Sequence, residues 1–239
     1  MRTFDKPHCS GRPAVKGIIP ITGRRPLVGL LALYTISWAA AQDVLTYHND
    51  NARTGQNLNE TILNTGNVNA SKFGKLFLLA ADGKVDAEPL YVSNLTMSTG
   101  THNVVFVATE HDSVYAYDAD TGALLWKVSM LKPGETRSDD RNCSQVTPEI
   151  GVTATPVIDR LSGTHGTIYA VAMSKDSSGN YHQRLHALDI STGVEEFGGP
   201  VEIQATYSGS GDEGNGTTLT FDPKQHKLRA SLLLLDNIV

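Results

Sequence analysis

Apolar and polar side chains alternate most clearly in residues 114–118, which read V-Y-A-Y-D. Successive side chains of a strand point to opposite faces, so Val114 and Ala116 share one face and Tyr115 and Tyr117 share the other. The run is rich in β-branched and aromatic residues and ends at a polar cluster. We therefore predict a strand that can bury one face or both.

The polar cluster at residues 118–122, D-A-D-T-G, predicts the turn of a β-hairpin. Asp and Thr side chains can bond turn amides, and Gly122 can take the positive φ that closes a bulged loop. In the run that follows, Leu124, Trp126 and Val128 alternate with other residues and are expected on one face. The stretch predicts a sheet corner with an aromatic wedge, and it carries no chemistry by itself.

The same pattern recurs at residues 185–193, which read L-H-A-L-D-I-S-T-G. Identical residues stand at four positions: Ala116 and Ala187, Asp118 and Asp189, Thr121 and Thr192, and Gly122 and Gly193. We predict a structural repeat motif made of Asp118, Asp120, Thr121, Gly122 and Trp126 in the first copy and of Asp189, Thr192 and Gly193 in the second.

Two further pairs of strand-like segments accompany the repeat. Residues 87–92 parallel residues 154–159, and residues 104–109 parallel residues 167–172. Each unit thus holds four short strands in a fixed order, which is the sequence sign of a β-propeller blade. The fold class that we predict is all-β, a partial β-propeller with about two complete four-stranded blades and the start of a third.

Composition and charge narrow the class of protein. Glycine is frequent and no long amphipathic helical pattern is present, which agrees with an all-β chain. The net charge of −5 argues against a surface that binds polyanions, so no nucleic-acid partner is expected.

The hairpin sequence Y-A-Y-D-A-D-T-G-A-L-L-W-K resembles the tryptophan-docking repeat of quinoprotein β-propellers, the family of dehydrogenases that use pyrroloquinoline quinone (PQQ) and their relatives. The region from residues 47–55, Y-H-N-D-N-A-R-T-G, through Asn67, Val68 and Leu76 resembles the segment that opens such propellers, where a short helix precedes the first strand. Phe197 stands near the place of the family tryptophan in the second repeat and is a candidate substitute wedge. The resemblance covers roughly residues 47–239.

The resemblance leaves three functions open. The first is a non-catalytic binding or scaffold module. The second is a PQQ- and calcium-dependent dehydrogenase of alcohols or sugars, whose active site would lie beyond residue 239. The third is a subunit of outer-membrane protein assembly, as in a related lipoprotein propeller, but no cysteine for a lipid anchor follows the apolar run near the N-terminus.

The dehydrogenase hypothesis lacks matching site residues. The alcohol-oxidising members of that family stack the quinone between a Trp and a disulfide of adjacent cysteines, with an Asp base and with Glu and Asn as calcium ligands. This chain has no adjacent cysteine pair, and none of those residues matches a position of the sequence. No cofactor is assigned on this basis, and PQQ and calcium remain possible in a full-length parent.

Residues 1–41 predict a secretory signal peptide. Arg24 and Arg25 precede an apolar run, and small residues at 39–41 supply a cleavage site before Gln42. The run is too short for a stable membrane span. We therefore expect an exported protein, periplasmic or extracellular, with Cys143 as the single cysteine after cleavage, either a buried thiol or paired outside these residues.

The mature chain is expected to hold two parts. Residues 42–82 form an entry segment with a short helix at 64–72 and a strand at 73–81, and residues 83–239 form the partial propeller. Residues 232–235, L-L-L-L, predict the first strand of a third blade. Because a ring needs four to eight blades, we expect a fragment of a larger propeller, with missing blades or another chain as a partner.

The polar insertion at residues 131–150 is the other candidate for binding, because inserted loops on repeat scaffolds often form the binding face. A merely solvated loop is the alternative. Glu149 lies at its end and could face the central channel, or it could be a loop carboxylate. The ligand, a protein or a small molecule, stays unknown.

Three apparent motifs carry no chemistry. Residues 208–216 contain G-x-G-x-x-G, but 217–221 look like a strand rather than a helix, so a flexible loop is predicted. His182 and His186 would lie about 13 Å apart in a strand, too far to share a metal ion. Asp118-Ala119-Asp120 lacks the closing carboxylate of a calcium loop.

Overall fold

The computed structural model of the chain describes residues 42–142, 144–211 and 214–239. This part of the chain is all-β and contains no helix. The strands are β1 (Leu90–Met97), β2 (Gly100–Ala108), β3 (Ser113–Asp118), β4 (Leu124–Ser129), β5 (Thr136–Asp139), β6 (Glu149–Ile150), β7 (Val157–Asp159), β8 (Thr167–Lys175), β9 (Tyr181–Asp189), β10 (Val201–Glu202), β11 (Thr206–Ser208) and β12 (Thr218–Thr220).

The first sheet is an antiparallel meander in the order β1-β2-β3-β4. The predicted hairpin is confirmed, with β3 and β4 joined by the D-A-D-T-G turn and Gly122 at φ +75°. Its faces also alternate as predicted. Val114 and Ala116 lie in the main core, whereas Tyr115 and Tyr117 pack on the opposite face.

A bulge in β4 corrects one predicted detail. Ala116 pairs with Trp126, but the next residue, Tyr117, pairs with Leu124, so Leu125 is an extra residue in the ladder. An extra residue reverses the alternation of side chains on either side of it. Leu124 therefore does not share the face of Trp126 and is 53% exposed.

The second sheet repeats this arrangement. Strands β7, β8 and β9 pair antiparallel in the predicted order, and β10 adds to β9 at the outer edge. One face of this sheet packs on one face of the first, and together they form the main core, to which both sheets contribute buried aliphatic residues. Val104, Phe106 and Val114 from the first sheet and Ile168 and Leu188 from the second are almost completely inaccessible to solvent.

The insertion at residues 131–150 is not simply a solvated loop. Strand β5 pairs with the end of β8 and then with β6, so the insertion extends the second sheet. Glu135 fixes its start, because both carboxylate oxygens accept from the buried guanidinium of Arg184 at 2.8 Å. The Nε of Arg184 also donates to Glu202 at 2.6 Å, which ties the insertion to the outer strand.

The predicted helix at 64–72 is wrong. Two separate turns occur there, closed by bonds from Val68 N to Asn64 O and from Phe73 N to Asn69 O. Asn67 donates to the carbonyl of Ile62 and accepts from the amide of Asn64 at the start of the first turn. Where the two turns meet, Asn69 donates to the carbonyl of Gly66 and accepts from the amide of Ser71. Asparagine side chains compete with helical bonding in this way.

The predicted strand at 73–81 is also wrong. The segment has no strand ladder, and side chains of the first sheet hold its end: the hydroxyl of Tyr117 donates to the carbonyl of Ala80, and the amide of Asp82 donates to the hydroxyl of Tyr115 at 2.9 Å. Leu79 covers the tyrosine face of the sheet. A side-chain attachment replaces the backbone pairing that the apolar pattern predicted.

The segments after β10 form a small hairpin and an irregular end. β11 pairs with β12, which confirms the predicted strand near Thr218–Thr220 and places the glycine-rich residues in the connecting loop. Residues 232–235 form no strand ladder, and the amide of Leu232 donates to the carbonyl of Thr155 at 3.0 Å. Residues 1–41 and Cys143 lie outside the described part of the chain, in which no helix is long and apolar enough to cross a membrane.

Candidate functional site

The two turns of the repeat motif have the same internal bonding. Asp118 accepts from the amides of Asp120 and Thr121 and from the Thr121 hydroxyl, at 3.0, 2.8 and 2.8 Å. Asp189 accepts in the same way from Ser191 and Thr192, at 2.6 to 3.1 Å. The repeated Asp therefore organises the turn that each unit uses to reverse direction.

A histidine completes each turn, and comparing the two repeats in sequence missed it. His102 Nδ1 lies 2.7 Å from the second oxygen of Asp118, and His165 Nδ1 lies 2.7 Å from that of Asp189. The two histidines stand at different distances along the chain from their aspartates, so aligning the repeats does not reveal them. Together with the turn bonds, the contact with His102 lowers the pKa of Asp118 to about 2. Burial alone would raise the pKa of Asp189, yet hydrogen bonds from Ser191 and His165 lower it below its ordinary value.

Each turn glycine is covered by an aromatic ring from the preceding segment. A Cβ on Gly193 would lie 2.8 Å from Cε3 of Trp126, whose indole Nε1 donates to the carbonyl of Ile190 at 3.1 Å. A Cβ on Gly122 would likewise lie 3.0 Å from Cγ of Phe77. Phe197, the candidate substitute wedge, is 67% exposed.

A second cluster lies at the turn between β2 and β3, residues 109–113 (T-E-H-D-S), here named the acidic turn. The amide of Gly151 and the hydroxyl of Thr153 donate to one oxygen of Glu110 at 2.8 and 3.0 Å. The Glu110 amide donates to the carbonyl of Lys84 at 2.8 Å. The Thr109 hydroxyl also donates to Asp82 at 3.0 Å, so the acidic turn joins the entry segment, the first sheet and the approach to β7.

Glu149 lies beside the acidic turn rather than free in solvent. Its two oxygens accept from His111 Nδ1 at 2.6 Å and from Arg137 Nε at 2.9 Å, and its side chain is 19% exposed. Although burial works to raise its pKa, these two partners lower it. The structure therefore places this carboxylate in an ion-pair cluster that connects the acidic turn to β5.

Two acids of this turn are fully buried without complete bonding. Glu110 and Asp112 are 0% exposed, and neither oxygen of Asp112 forms a close hydrogen bond, although the backbone of Met173 and the charge of Arg137 act to lower its pKa. Burial, and then the nearby charge of Glu110, raises the pKa of Asp112 well above its usual range. Burial also raises the pKa of Glu110, and Asp86 adds to that effect. Ionising either group inside the protein is therefore unfavourable.

We expect Asp112→Asn to stabilise the protein at neutral pH. The pKa of Asp112 is higher in the folded protein than in the unfolded chain. This difference does not lower the free energy of unfolding below about pH 4, where the carboxyl is protonated in both states, and it lowers that free energy progressively more as pH rises toward the folded-state pKa. Asn keeps the shape without the charge and tolerates the left-handed φ of +54°. Urea denaturation should give nearly equal stability at pH 4 and a gain of about 1–3 kcal/mol at pH 7.

Asp236→Asn is the matched control, because Asp236 is exposed and also has a left-handed φ, +50°. It should change stability little at either pH. A wild-type protein more stable than Asp112→Asn at pH 7 would mean that the ionised carboxylate has a favourable partner.

A polar cavity of about 520 Å³ opens above the acidic turn, near the beginnings of β1 and β7. Thr153 lines it and also donates to Glu110. Its cationic residues are Arg53, Lys84 and Arg229, and Asp86 is its acid. The cavity is assembled from the entry segment, the acidic turn's neighbours and residues 229–231, which are far apart in sequence.

The described residues offer no ligand set for the calcium ion that the quinoprotein resemblance implies. In residues 42–142, 144–211 and 214–239, no group of three or more His, Cys, Asp or Glu could hold a metal ion. The carboxylate of Asp86 is already paired with Lys84 at 2.9 Å. A stacked quinone would need a tryptophan ring with a free face. The ring of Trp126 already lies against Gly193, and its indole nitrogen donates to the carbonyl of Ile190.

Two other sets of residues agree with the sequence analysis. His182 and His186 both lie in β9, where they bond to separate carboxylates, Glu202 at 2.9 Å and Glu195 at 2.8 Å. Each histidine is therefore engaged with a carboxylate of its own. Asp120 accepts from Asn103 at 2.9 Å and so belongs to the turn scaffold.

Comparison with known proteins adds no family. No model of a protein family matches the chain, and no curated protein matches it either.

Proposed function

We propose that the chain is part of an exported PQQ-like β-propeller and serves as a non-catalytic binding scaffold. The observation that carries the proposal is the repeated contact of an aromatic ring with a turn glycine, Phe77 on Gly122 and Trp126 on Gly193. The Trp126 contact joins one four-stranded unit to the next, and the Phe77 contact joins the entry segment to the first unit. A ring on the turn glycine of each following unit is what a radial array of blades would need.

The outer part of the second sheet supports the expectation of further units. Val194, Phe197 and Val201, in and just before β10, are each more than 60% exposed. Neighbouring exposed apolar groups suit a contact surface, whereas isolated ones are common on any protein. Phe197 follows Gly193 at the same spacing as Trp126 follows Gly122, so a further blade or another chain with a D-x-x-T-G turn would cover it.

The binding role is supported by the polar cavity. Binding sites on repeat scaffolds lie in loops and inserted segments, which tolerate variation while the sheets keep their geometry. Here segments distant in sequence converge on one cavity beside the beginnings of the inner strands. A dehydrogenase remains the alternative function, and it makes a different prediction for the purified protein.

The experiment is spectroscopic. The full chain is expressed, and its exported form, with Gln42 expected at the N-terminus, is mixed with PQQ and calcium and then desalted. A scaffold retains no quinone absorbance and reduces no dye with a panel of alcohols and sugars. Retained absorbance together with substrate-dependent dye reduction would overturn the proposal in favour of a PQQ-dependent dehydrogenase.

A further inference from the structure

The polar cavity contains two guanidinium groups whose partners are all uncharged. Arg53 donates to the hydroxyl of Thr46 and to the carbonyls of Tyr47 and Leu232, at 2.8 to 2.9 Å. Arg229 donates to the side-chain oxygen of Gln145 at 2.5 Å. Within the described residues neither forms an ion pair, so both positive charges stay uncompensated.

The charges of the other ionisable groups at the cavity cancel one another. Lys84 Nζ and Asp86 form an ion pair at 2.9 Å. The carboxyl of Glu110 below them is fully buried, and burial raises its pKa, which disfavours a negative charge there. The cavity therefore presents an excess of positive charge, although the chain as a whole carries −5.

The guanidinium groups also have donors left to offer. An arginine has five N–H donors in a rigid fork that matches a carboxylate or phosphate. The bonds given above use three donors of Arg53 and one of Arg229. Thr153, Thr155 and Ser231 also line the cavity. The Thr153 hydroxyl donates to Glu110 and can still accept from a ligand, and the Thr155 hydroxyl accepts from the amide of Glu88 and can still donate.

We propose that this cavity binds a small hydroxylated organic anion, with its carboxylate held by Arg53 and Arg229 and its hydroxyl groups placed against the threonine and serine side chains. The cavity volume of about 520 Å³ is within the usual range for small-molecule sites. A sugar acid has this combination of one carboxylate and several hydroxyls. The inference rests on the proposed binding role and names its ligand class.

The test is isothermal titration of the full exported chain with galacturonate, with galactose and inorganic phosphate as comparison ligands. Galacturonate should give saturable heat that weakens as sodium chloride is added, because salt screens the charge interaction. Galactose lacks the carboxylate and should bind at least about tenfold more weakly. Phosphate, which lacks the sugar hydroxyls, should also bind more weakly than galacturonate.

Arg229→Gln should weaken galacturonate binding about tenfold or more, because it removes a charged donor. Arg160→Gln is the matched control, since Arg160 lies outside the cavity and donates to the carbonyl of Ser93, and it should bind as the wild type does. Arg229→Lys keeps the charge and should recover part of the affinity. Thermal unfolding of each variant separates lost binding from lost folding.

Three results would overturn the inference: no saturable binding of galacturonate, equal binding of galactose, or unchanged affinity in a folded Arg229→Gln protein. If galactose bound as tightly as galacturonate and Thr155→Val weakened that binding, the proposed binding role would stand, and only the preference for an anion would be wrong. A protein that retains PQQ and oxidises substrates would instead remove the proposed function itself.

Discussion

Gly151→Ala is expected to destabilise the protein by about 3 kcal/mol or more. Gly151 is buried beside the acidic turn, and a Cβ there would meet the carbonyl oxygen of Glu110 and would lie 2.7 Å from its carbon and 2.8 Å from the amide nitrogen of Asp112. These are backbone atoms, which cannot rotate aside as a side chain can. The turn and the segment before β7 would have to separate.

Such a separation would break further bonds. Gly151 N donates to Glu110 at 2.8 Å, and the neighbouring Val152 N donates to the carbonyl of Thr109 at 3.1 Å. Because Glu110 is fully buried, losing these donors would leave its carboxyl with fewer partners and no access to water. Urea denaturation followed by far-UV circular dichroism measures the loss directly.

Gly74→Ala serves as the control for Gly151→Ala. A Cβ added to Gly74 would have no atom within 4 Å, and Gly74 has no positive φ, so the same substitution should change stability by less than about 0.5 kcal/mol. If Gly151→Ala unfolded at the same urea concentration as Gly74→Ala, the close approach of the acidic turn to residue 151 would be wrong.

The sequence was most informative where neighbouring residues determine the structure. The hairpin of β3 and β4, and the strands of the second sheet, follow from alternating side chains and from turn residues such as Asp118 and Gly122. Both signals are local, because a strand's faces and a turn's φ depend on adjacent residues. The bulge at Leu125 escaped prediction because one extra residue leaves no mark in an apolar run.

The candidate site depends on contacts between distant segments, and for that reason the sequence did not predict it. Glu110 meets Gly151 and Thr153, and Arg53 meets Leu232, which alternation and spacing cannot connect. A weaker signal was present. Glu110 and Asp112 stand in the turn between two apolar strands. Acidic residues are usually exposed there unless a partner pairs with their charge.

The entry segment shows how tertiary contacts replace local preference. Residues 73–81 have the apolar pattern of a strand, yet Leu76 and Leu78 are 81% and 87% exposed, while Phe77 between them packs on Gly122. One ring contact and the tyrosine hydroxyls hold the segment, and no neighbouring strand pairs with it in the described part of the chain. The apolar pattern predicted a strand, and the contacts of the segment with the first sheet determine its structure instead.

Trp126→Ala is expected to cost about 3 kcal/mol, because it removes the wedge between the two sheets. The ring packs on Gly193 and on Phe106, with ring centroids 5.8 Å apart, and its Nε1 donates to the carbonyl of Ile190. Trp126→Phe keeps an aromatic ring and loses the donor, so it should cost about 1 kcal/mol from the hydrogen bond, plus the packing of the lost atoms. Circular dichroism in urea is the appropriate measurement, because these variants lack the indole that fluorescence would follow.

Phe197→Ala is the control for Trp126→Ala, because Phe197 holds the corresponding place in the second repeat but is 67% exposed. Replacing its side chain by that of alanine should change the free energy of unfolding by less than about 0.5 kcal/mol. An equal cost for the two substitutions would mean that Phe197 is packed in solution, and that the difference between the two repeats is not real.

A double-mutant cycle with Gly193→Ala separates the ring contact from backbone strain. In the wild type, a methyl at residue 193 meets Trp126 at 2.8 Å and must also adopt a φ of +73°. Removing the ring relieves the steric contact and leaves the backbone cost, which is about 1–2 kcal/mol for a residue with a Cβ. Gly193→Ala should therefore cost less in the Trp126→Ala background than alone, by more than about 0.5 kcal/mol. Simple additivity would show that the ring does not rest on the turn, and the stacking of one repeat on the next would lose its physical basis.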